Sequence, residues 1–153
     1  MGIFYKKGGA EDLFAFTDSD YAGDEEDSKS TSGYVFLLSS RAMSWMSKKQ
    51  PIITLSTIEA EFVAPTVSSA CQAVWMRRVL RNLNHAQEVM YGKSKHIRVG
   101  FHFLRDLVKD GEIELAHCGT QEQVADLMTK ALKLEAFQKL RKKMGMLDLT
   151  EVD

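Results

Sequence analysis

The chain has 153 residues, of which 44% are hydrophobic and 27% charged, and its formal net charge is −1. This fits one globular domain with a single core, and ten Gly with two Pro exclude collagen-like and Pro-rich disordered chains. The near-neutral charge argues against a protein whose whole surface binds nucleic acid. The charges are nevertheless uneven: residues 11–27 carry eight acids and no base, whereas residues 133–143 carry five bases and one acid.

The cysteines and the lengths of the apolar segments indicate the cellular compartment in which we expect the protein. Cys71 and Cys118 match neither a disulfide framework nor the spacing of a zinc site, so we expect buried thiols in a reducing, intracellular compartment, the cytoplasm or the nucleus. The first residues contain no apolar stretch like that of a secretory signal, and no apolar run approaches the roughly 18 residues that cross a bilayer. We therefore expect no membrane partner.

Three segments early in the chain have strand patterns. Residues 13–18, LFAFTD, are rich in the aromatic and apolar types that favour strands, and they end in the carboxylate of Asp18. Residues 33–38 and 42–46 follow, and only residues 39–41 connect them. This short connection predicts an antiparallel hairpin, and the three strands together predict a meander.

A long helix is predicted next. Ser56 and Glu59 have the spacing of a capping box, and apolar residues follow at helical intervals over about 25 residues. Pro65 would lie well inside this helix, where it removes a backbone hydrogen bond at a cost of about 3 kcal/mol. We therefore expect a kink or an early start at Pro65.

The remaining elements alternate between helix and strand. A second amphipathic helix covers residues 97–108 and ends at Gly111, and residues 113–117 alternate as a strand. A capping box at Thr120 and Gln123 precedes a helix over residues 124–131, and a last helix covers residues 134–144. This order predicts a mixed α/β fold, with helices packed on a sheet, and excludes a sandwich or a bundle.

Four acidic residues follow the first strand: Asp18, Asp20, Asp24 and Glu26. Carboxylate oxygens are the ligands that Mg²⁺ and Ca²⁺ prefer, so this segment is a candidate cation site. An EF-hand is excluded, because counting Asp18 as its first position puts Ala22 and Lys29 where the loop needs oxygen ligands. The alternative for residues 24–27 is a solvated acidic loop.

Three acidic residues on different elements form a second candidate. Asp18 ends a strand, Glu61 lies near the start of the long helix, and Asp126 lies in the first turns of a later helix. Glu59 is explained by capping and Glu61 is not, although acids in first turns are common for structural reasons. His117 could position a water or a phosphate, but a lone His at a strand end is often structural. The residues alone allow the three acids to converge on one divalent metal.

Short motifs in the same order run along almost the whole chain. They are TDSDYAGD (17–24), STSGYVF (30–36), SW (44–45), KKQP (48–51), LSTIEAEF (55–62), SKHI (94–97), HFLR (102–105) and QEQVADLMTK (121–130). Together they resemble the ribonuclease H domain of copia-type LTR retrotransposon polyproteins, particularly those of plants. No reverse transcriptase or integrase sequence accompanies them.

This resemblance implies an RNase H-like fold, a five-stranded mixed sheet with an antiparallel first half. It also implies hydrolysis of the RNA strand in RNA–DNA hybrids with two Mg²⁺ ions, roughly 3.5–4 Å apart, that activate a water and stabilise the leaving oxygen. Asp18, Glu61 and Asp126 would be the metal-binding catalytic residues, and Asp18 would bridge both ions. Glu59 and Asp20 match family residues outside the metal core, and His117 receives no role because its spacing differs.

One block of the family pattern is absent. Between the long helix and SKHI, the family has a strand ending in a Cys-Asp-Asn type motif, which supplies a third metal-binding Asp, and then a helix. Only eleven residues, 84–94, span this gap. They are fewer than a mean strand of about five or six residues plus a mean helix of about eleven. We therefore expect the central strand and one helix to be missing, with at most a stub at residues 89–91.

The resemblance thus predicts an internally truncated RNase H-like domain over residues 1–146 and a frayed tail over residues 147–153. With one Asp lost, Mg²⁺ binding should weaken, so the expected nuclease activity is weak or absent. The alternative is a non-catalytic remnant that binds a hybrid or other nucleic acid through the last helix. The residues predicted to do so are Lys139, Arg141, Lys142 and Lys143. A third alternative is a product with no selected function.

Overall fold

The structure is a computed structural model that describes residues 1–5, 12–56, 65–83, 89–92 and 98–148. The predicted metal ligand Glu61, the predicted helix cap at Glu59 and the SKHI motif lie outside the described residues.

Short strands and helices alternate along the described part of the chain. The strands are β1 (Gly2–Ile3), β2 (Leu13–Ser19), β3 (Thr31–Leu38), β4 (Arg41–Lys49), β5 (Val89–Gly92), β6 (Glu114–Ala116) and β7 (Met146–Leu147). The helices are α1 (Pro65–Asn82), α2 (Arg98–Lys109), α3 (Asp126–Thr129) and α4 (Leu134–Lys143), with a 3₁₀ turn at Thr120–Glu122. Among these helices, none is both long and apolar enough to cross a membrane.

Five strands form one mixed sheet in the order β4-β3-β2-β5-β6. β2, β3 and β4 are antiparallel neighbours, which confirms the predicted meander, and β5 and β6 join it in parallel. In the β2–β3 ladder, Asp18 lies opposite Gly33. The mixed α/β fold class is therefore confirmed, and the acidic end of β2 lies in the middle of the sheet.

The central strand was predicted to be missing or reduced to a stub at residues 89–91; the strand is present, at the position of the stub, so the prediction of its loss is wrong. Val89–Gly92 forms β5 between β2 and β6, with Leu13 opposite Val89 and Tyr91 opposite Leu115. This four-residue strand covers the two inner edges that its loss would have exposed. It contains no acidic residue, so it does not replace the absent Asp. Only residues 93–97 separate β5 from α2, fewer than a mean helix of about eleven residues.

The sheet separates two apolar clusters. Because side chains alternate along a strand, Leu13 and Ala15 of β2 face the cluster beneath α1 and α2, whereas Phe14 and Phe16 face the other side. Phe36 is fully buried in the first cluster. The second cluster contains Val35, Leu37, Ala42, Val124 and Met144. It attaches the C-terminal part of the chain to the face that carries Asp18.

Helix α1 as described begins at Pro65, the residue at which the sequence predicted a kink or a start of the helix. Residues 57–64, over which the predicted helix would extend further, lie outside the described residues. Arg77 of α1 bonds the turn after α2, donating to the carbonyls of Gly111 at 2.9 Å and Glu112 at 2.6 Å. Gly111 has a φ of +67°, which confirms the predicted end of α2.

The two chain ends meet beside the main sheet. β1 and β7 are antiparallel, with Gly2 opposite Leu147, so the predicted frayed tail is wrong at Leu147. The Arg41 side chain donates to the carbonyl of Phe4 at 2.8 Å, and the backbone of Ala42 donates to that of Met144 at 2.9 Å. Both ends are therefore tied to β4. Residues 149–153 lie outside the described residues.

Candidate active site

Asp18 and Asp126, which come from distant parts of the sequence, meet at the C-terminal end of β2. Asp18 is the penultimate residue of that strand, and Asp126 is the first residue of α3. Lys130 links them: its Nζ lies 3.3 Å from Oδ2 of Asp18 and 2.9 Å from Oδ1 of Asp126. Because one ammonium contacts both carboxylates, the two acids lie close enough to share a cation.

Helix α3 approaches the strands closely because Gly33 has no side chain. A Cβ at Gly33 would lie 2.5 Å from Cβ of Met128 and 3.0 Å from Cγ2 of Thr129. On the neighbouring strand, the Ser47 hydroxyl donates to the carbonyl of Met128 at 2.6 Å. The Thr129 hydroxyl donates to the Asp18 carboxylate itself. These contacts fix α3, and with it Asp126, against the acidic end of β2.

The segment before α3 is held by a different contact from the one predicted. Thr120 and Gln123 were expected to form a capping box, but Gly119 precedes the 3₁₀ turn and no side chain caps it. Gln123 instead donates its side-chain amide to the carbonyl of Thr17 at 3.2 Å. The predicted helix over residues 124–131 is correspondingly short, covering only Asp126–Thr129. A tertiary hydrogen bond replaces the predicted local one.

The two acids are largely removed from solvent. The side chains of Asp18 and Asp126 are 15% and 9% exposed. Burial raises the pKa of Asp126, the hydrogen bond from Lys130 opposes the rise, and the charge of Asp18 adds to it. Burial lowers the pKa of Lys130, but its contacts with Asp126 and Asp18 outweigh this and raise it overall. The carboxylates therefore repel each other and are stabilised by a cation between them.

The donor set of this pair fits a hard divalent cation. Mg²⁺ is typically bound through one or two carboxylates, with waters and substrate phosphates completing its ligands. Asp18 and Asp126 supply that number of carboxylates. Within the described ranges, no group of three or more His, Cys, Asp or Glu residues is close enough together to hold a metal. The predicted third ligand, Glu61, belongs to the part of the chain that is not described.

Almost the whole chain is similar to segments of known polyproteins. It is 34% identical over 164 residues to the retrovirus-related Pol polyprotein from transposon RE1 of Arabidopsis thaliana. It is also 34% identical over 165 residues to the Pol polyprotein from transposon RE2 of the same plant. To the Pol polyprotein from transposon TNT 1-94 of Nicotiana tabacum it is 32% identical over 158 residues. The three alignments cover 91–95% of the chain but only 11–12% of the polyproteins. No family model matches.

A solved structure identifies the fold. The N-terminal RNase H domain of rv2228c from Mycobacterium tuberculosis, solved as a fusion with maltose binding protein, superposes with a TM-score of 0.50. The superposition covers 86% of the chain and 96% of that structure at 11% sequence identity, so the likeness concerns the fold alone. Over almost its whole length the chain is similar to a segment of plant retrotransposon Pol polyproteins, and it has the fold of an RNase H domain. It spans about a tenth of the length of those polyproteins.

The sequence comparisons also bear on the absent block of this RNase H-like domain. The alignments with RE1 and RE2 extend over 164 and 165 positions, more than the 153 residues of the chain. The relatives therefore contain residues that this chain lacks. Between α1 and α2, where the family pattern predicts the absent block, the structure describes the four-residue strand β5.

The acidic loop of the domain, residues 24–27, is organised by its own ion pairs. Oδ1 of Asp24 accepts hydrogen bonds from the backbone of Glu26 and Asp27, and Lys49 of β4 lies 2.6 Å from Asp24 and 3.1 Å from Asp27. Lys49, together with the backbone N–H groups of Asp27 and Glu26, lowers the pKa of Asp24 to about 2. Asp24 and Asp27 belong to one loop and their side chains are 31% and 36% exposed, so this cluster lacks the burial and the convergence of separate elements that distinguish Asp18 and Asp126.

Asp20 has a structural role of its own. Its Oδ1 accepts a hydrogen bond from the backbone N–H of Thr31, the first residue of β3. The backbone N–H of Asp20 donates in turn to the carbonyl of Thr31 at 3.0 Å. Asp20 therefore closes the end of the β2–β3 pair, in agreement with a position outside the metal core.

A buried polar network lies behind Asp18, and the sequence analysis did not identify it. The Gln50 side chain is buried and donates to the hydroxyls of Ser19 at 3.1 Å and Ser32 at 2.7 Å. The backbone of Gln50 donates to the carbonyl of Ser30 at 2.8 Å. Three strand ends are thereby joined next to the carboxylate. The signal was present as runs of consecutive polar residues, 17–20 and 30–32, at the ends of two strands.

Other residues singled out from the sequence are His117, Cys71 and Cys118. His117 is exposed, and so is Cys71, so the prediction of a buried thiol is wrong for Cys71. Cys118 is half-buried, and burial raises the pKa of its thiol. The charge of Asp126 adds to this rise, so Cys118 lies near the Asp18–Asp126 pair.

The basic residues of α4 have acidic partners. Lys139 lies 3.1 Å from Glu122, and Lys143 also pairs with Glu122. Arg141 lies 3.6 Å from Asp148. Lys142 is exposed. The ion pairs join α4 to the 3₁₀ turn and to the end of the chain, while the predicted role of these residues in binding nucleic acid stays a prediction.

Proposed function

We propose that this RNase H-like domain hydrolyses the RNA strand of RNA–DNA hybrids in a slow, Mg²⁺-dependent reaction. The observation that carries the proposal is the convergence of Asp18 and Asp126, held by separate elements, on one cation position. Acids from unrelated surface loops would not be expected to lie together at the end of a sheet, with a buried polar network behind them. The family resemblance assigns metal binding to these same two residues.

The proposed roles follow from the positions of the residues. Asp18, in the middle of the sheet, and Asp126, on α3, would hold Mg²⁺, and Glu61 would be the third ligand. Bound Mg²⁺ would activate a water and stabilise the leaving oxygen at phosphorus. The strand ends and α3 keep the two carboxylates in place before substrate arrives, so little reorganisation is needed. We propose low activity because β5 carries no acid.

The substrate is proposed from chemistry and from the family together. A pair of carboxylates can bind a phosphodiester backbone only through a divalent cation, because bare carboxylates repel the negatively charged phosphates. Cations near the backbone would add affinity that falls with salt. We assign this contribution to the basic residues of α4, of which Lys142 is exposed.

The test is a cleavage assay with one labelled RNA in three forms: paired with DNA, paired with RNA, and single-stranded. We expect slow cleavage of the RNA only in the hybrid, only with Mg²⁺ or Mn²⁺, and none after chelation with EDTA. Absence of cleavage at high protein concentration, with salt-sensitive hybrid binding, would instead support the non-catalytic binding module. Failure of both cleavage and binding would reject any role in nucleic-acid metabolism.

A further inference from the structure

We propose that Lys130 is a tethered cation that occupies the metal position between Asp18 and Asp126 and competes with Mg²⁺ for it. This inference rests on the proposed function, because it concerns the same two carboxylates. It goes further in assigning a role to a residue of the chain that neither binds metal nor belongs to the catalytic set. The domain would then carry its own low-affinity counter-ion at the site.

The Lys130 ammonium lies between the two carboxylates, where a bridging metal would lie. The Lys130 ammonium contacts Oδ2 of Asp18 at 3.3 Å and Oδ1 of Asp126 at 2.9 Å. A metal bridging the two residues through these oxygens would occupy the space that the ammonium fills, because Mg²⁺–oxygen distances are only about 2.0–2.1 Å. The ammonium and the ion would also repel each other. One position cannot hold both cations.

The carboxylates of Asp18 and Asp126 need a positive charge nearby. Two carboxylates that are 15% and 9% exposed are costly to keep ionised without a nearby positive charge. In the described structure the Lys130 ammonium supplies that charge to both. Removing it without supplying a metal should destabilise the domain, and supplying a metal should restore stability.

The backbone of Lys130 is fixed, whereas its long side chain can move. The backbone N–H of Lys130 donates to the carbonyl of Asp126 at 3.2 Å, which fixes the base of the side chain at the end of α3. The side chain itself is 40% exposed, so the ammonium has a path to solvent. A flexible four-carbon stem on a fixed base can withdraw when an ion binds and return when it leaves.

The experiment compares Lys130→Gln with Lys133→Gln in the full chain. Lys133 is exposed at the N-terminal end of α4, so both variants lose one positive charge but only one loses the contact with the acids. Mn²⁺ binding is measured by the loss of the free-ion signal in electron paramagnetic resonance. We expect Lys130→Gln to bind Mn²⁺ about tenfold more tightly than Lys133→Gln, because a competing charge is gone.

Melting temperature supplies a second readout that needs no catalytic activity. In EDTA, Lys130→Gln should melt roughly 2–4 °C below Lys133→Gln, and saturating Mn²⁺ should remove this difference. Lys130→Arg, which keeps the charge, should behave like the unmodified chain in both measurements. Equal Mn²⁺ affinity of the two Gln variants would overturn the role of Lys130 while leaving the metal site intact.

Two other outcomes are decisive. If neither the unmodified chain nor any variant binds Mn²⁺, both the metal site and the role of Lys130 are wrong. If Lys130→Gln does not fold, a Mg²⁺ titration of the unmodified chain, followed by NMR of the lysine ammonium groups, replaces it. The Lys130 resonance should then shift as the ion binds and that of Lys133 should not, whereas an unchanged Lys130 resonance at saturation would overturn the proposal.

Discussion

Asp18→Asn should lower the rate of Mg²⁺-dependent hybrid cleavage by more than about a hundredfold, because it removes a charged ligand and weakens the hold on the ion. The amide has nearly the same shape as the carboxylate and still accepts a hydrogen bond from Thr129. The variant should therefore stay folded and keep its affinity for the hybrid. The measurement is single-turnover cleavage with a melting curve on the same sample.

Asp24→Asn is the matched control, because it makes the same chemical change a few residues along. Asp24 pairs with Lys49 in the acidic loop and does not contact Lys130 in the described structure. Its cleavage rate should stay within about twofold of the unmodified chain, since the interaction it loses is an exposed ion pair. Equal losses in the two variants would show that general negative charge, and not the carboxylate of Asp18, supports cleavage.

Gly33→Ala should destabilise the domain and separate Asp126 from Asp18. The added Cβ would lie 2.5 Å from the Cβ of Met128. Because the Cβ of Met128 is bonded directly to the α3 backbone, no rotation of the side chain can move it away. Overpacking of this kind costs about 1–3 kcal/mol, which exceeds the gain of about 0.4–1 kcal/mol from a stiffer unfolded chain. We expect a net loss in the free energy of unfolding, measured by urea denaturation, and a matching loss of Mn²⁺ affinity.

Gly119→Ala provides the contrast for that substitution. No heavy atom lies within 4 Å of a Cβ built on Gly119, and its φ of −70° suits any residue. This variant should be as stable as the unmodified chain or more stable by about 0.4–1 kcal/mol. A destabilisation equal to that of Gly33→Ala would mean that the close approach of α3 to β3 is not what Gly33 provides.

The sequence predicted elements whose pattern is local. β2, β3, β4 and α4 follow from alternation or helical spacing, and the end of α2 follows from Gly111. β5 was predicted only as a stub because the eleven residues of its segment are too few for a mean strand and a mean helix, and its strand state comes from pairing with β2 and β6. The two-residue strands β1 and β7 depend likewise on a contact between the chain ends.

The acids of the site could be named from the sequence, but not the cation beside them. Asp18 and Asp126 were candidates from their positions on a strand end and a helix start, the family motifs assigned them metal binding, and they lie together in the structure. Lys130 was missed although it lies four residues after Asp126, the spacing of neighbours on a helix. The role of Gly33 could not be predicted, because it depends on which helix crosses above it. The exposure of Cys71 is equally a property of the assembled fold.

Mapping of bound Mn²⁺ by NMR tests the central claim most directly, since the paramagnetic ion broadens backbone signals close to its site. The account predicts that substoichiometric Mn²⁺ broadens Thr17–Ser19 and Asp126–Lys130 first and most strongly, and the loop at residues 24–27 less. In Asp18→Asn this preferential broadening should be lost. Broadening centred on residues 24–27, or none at saturating Mn²⁺, would contradict it.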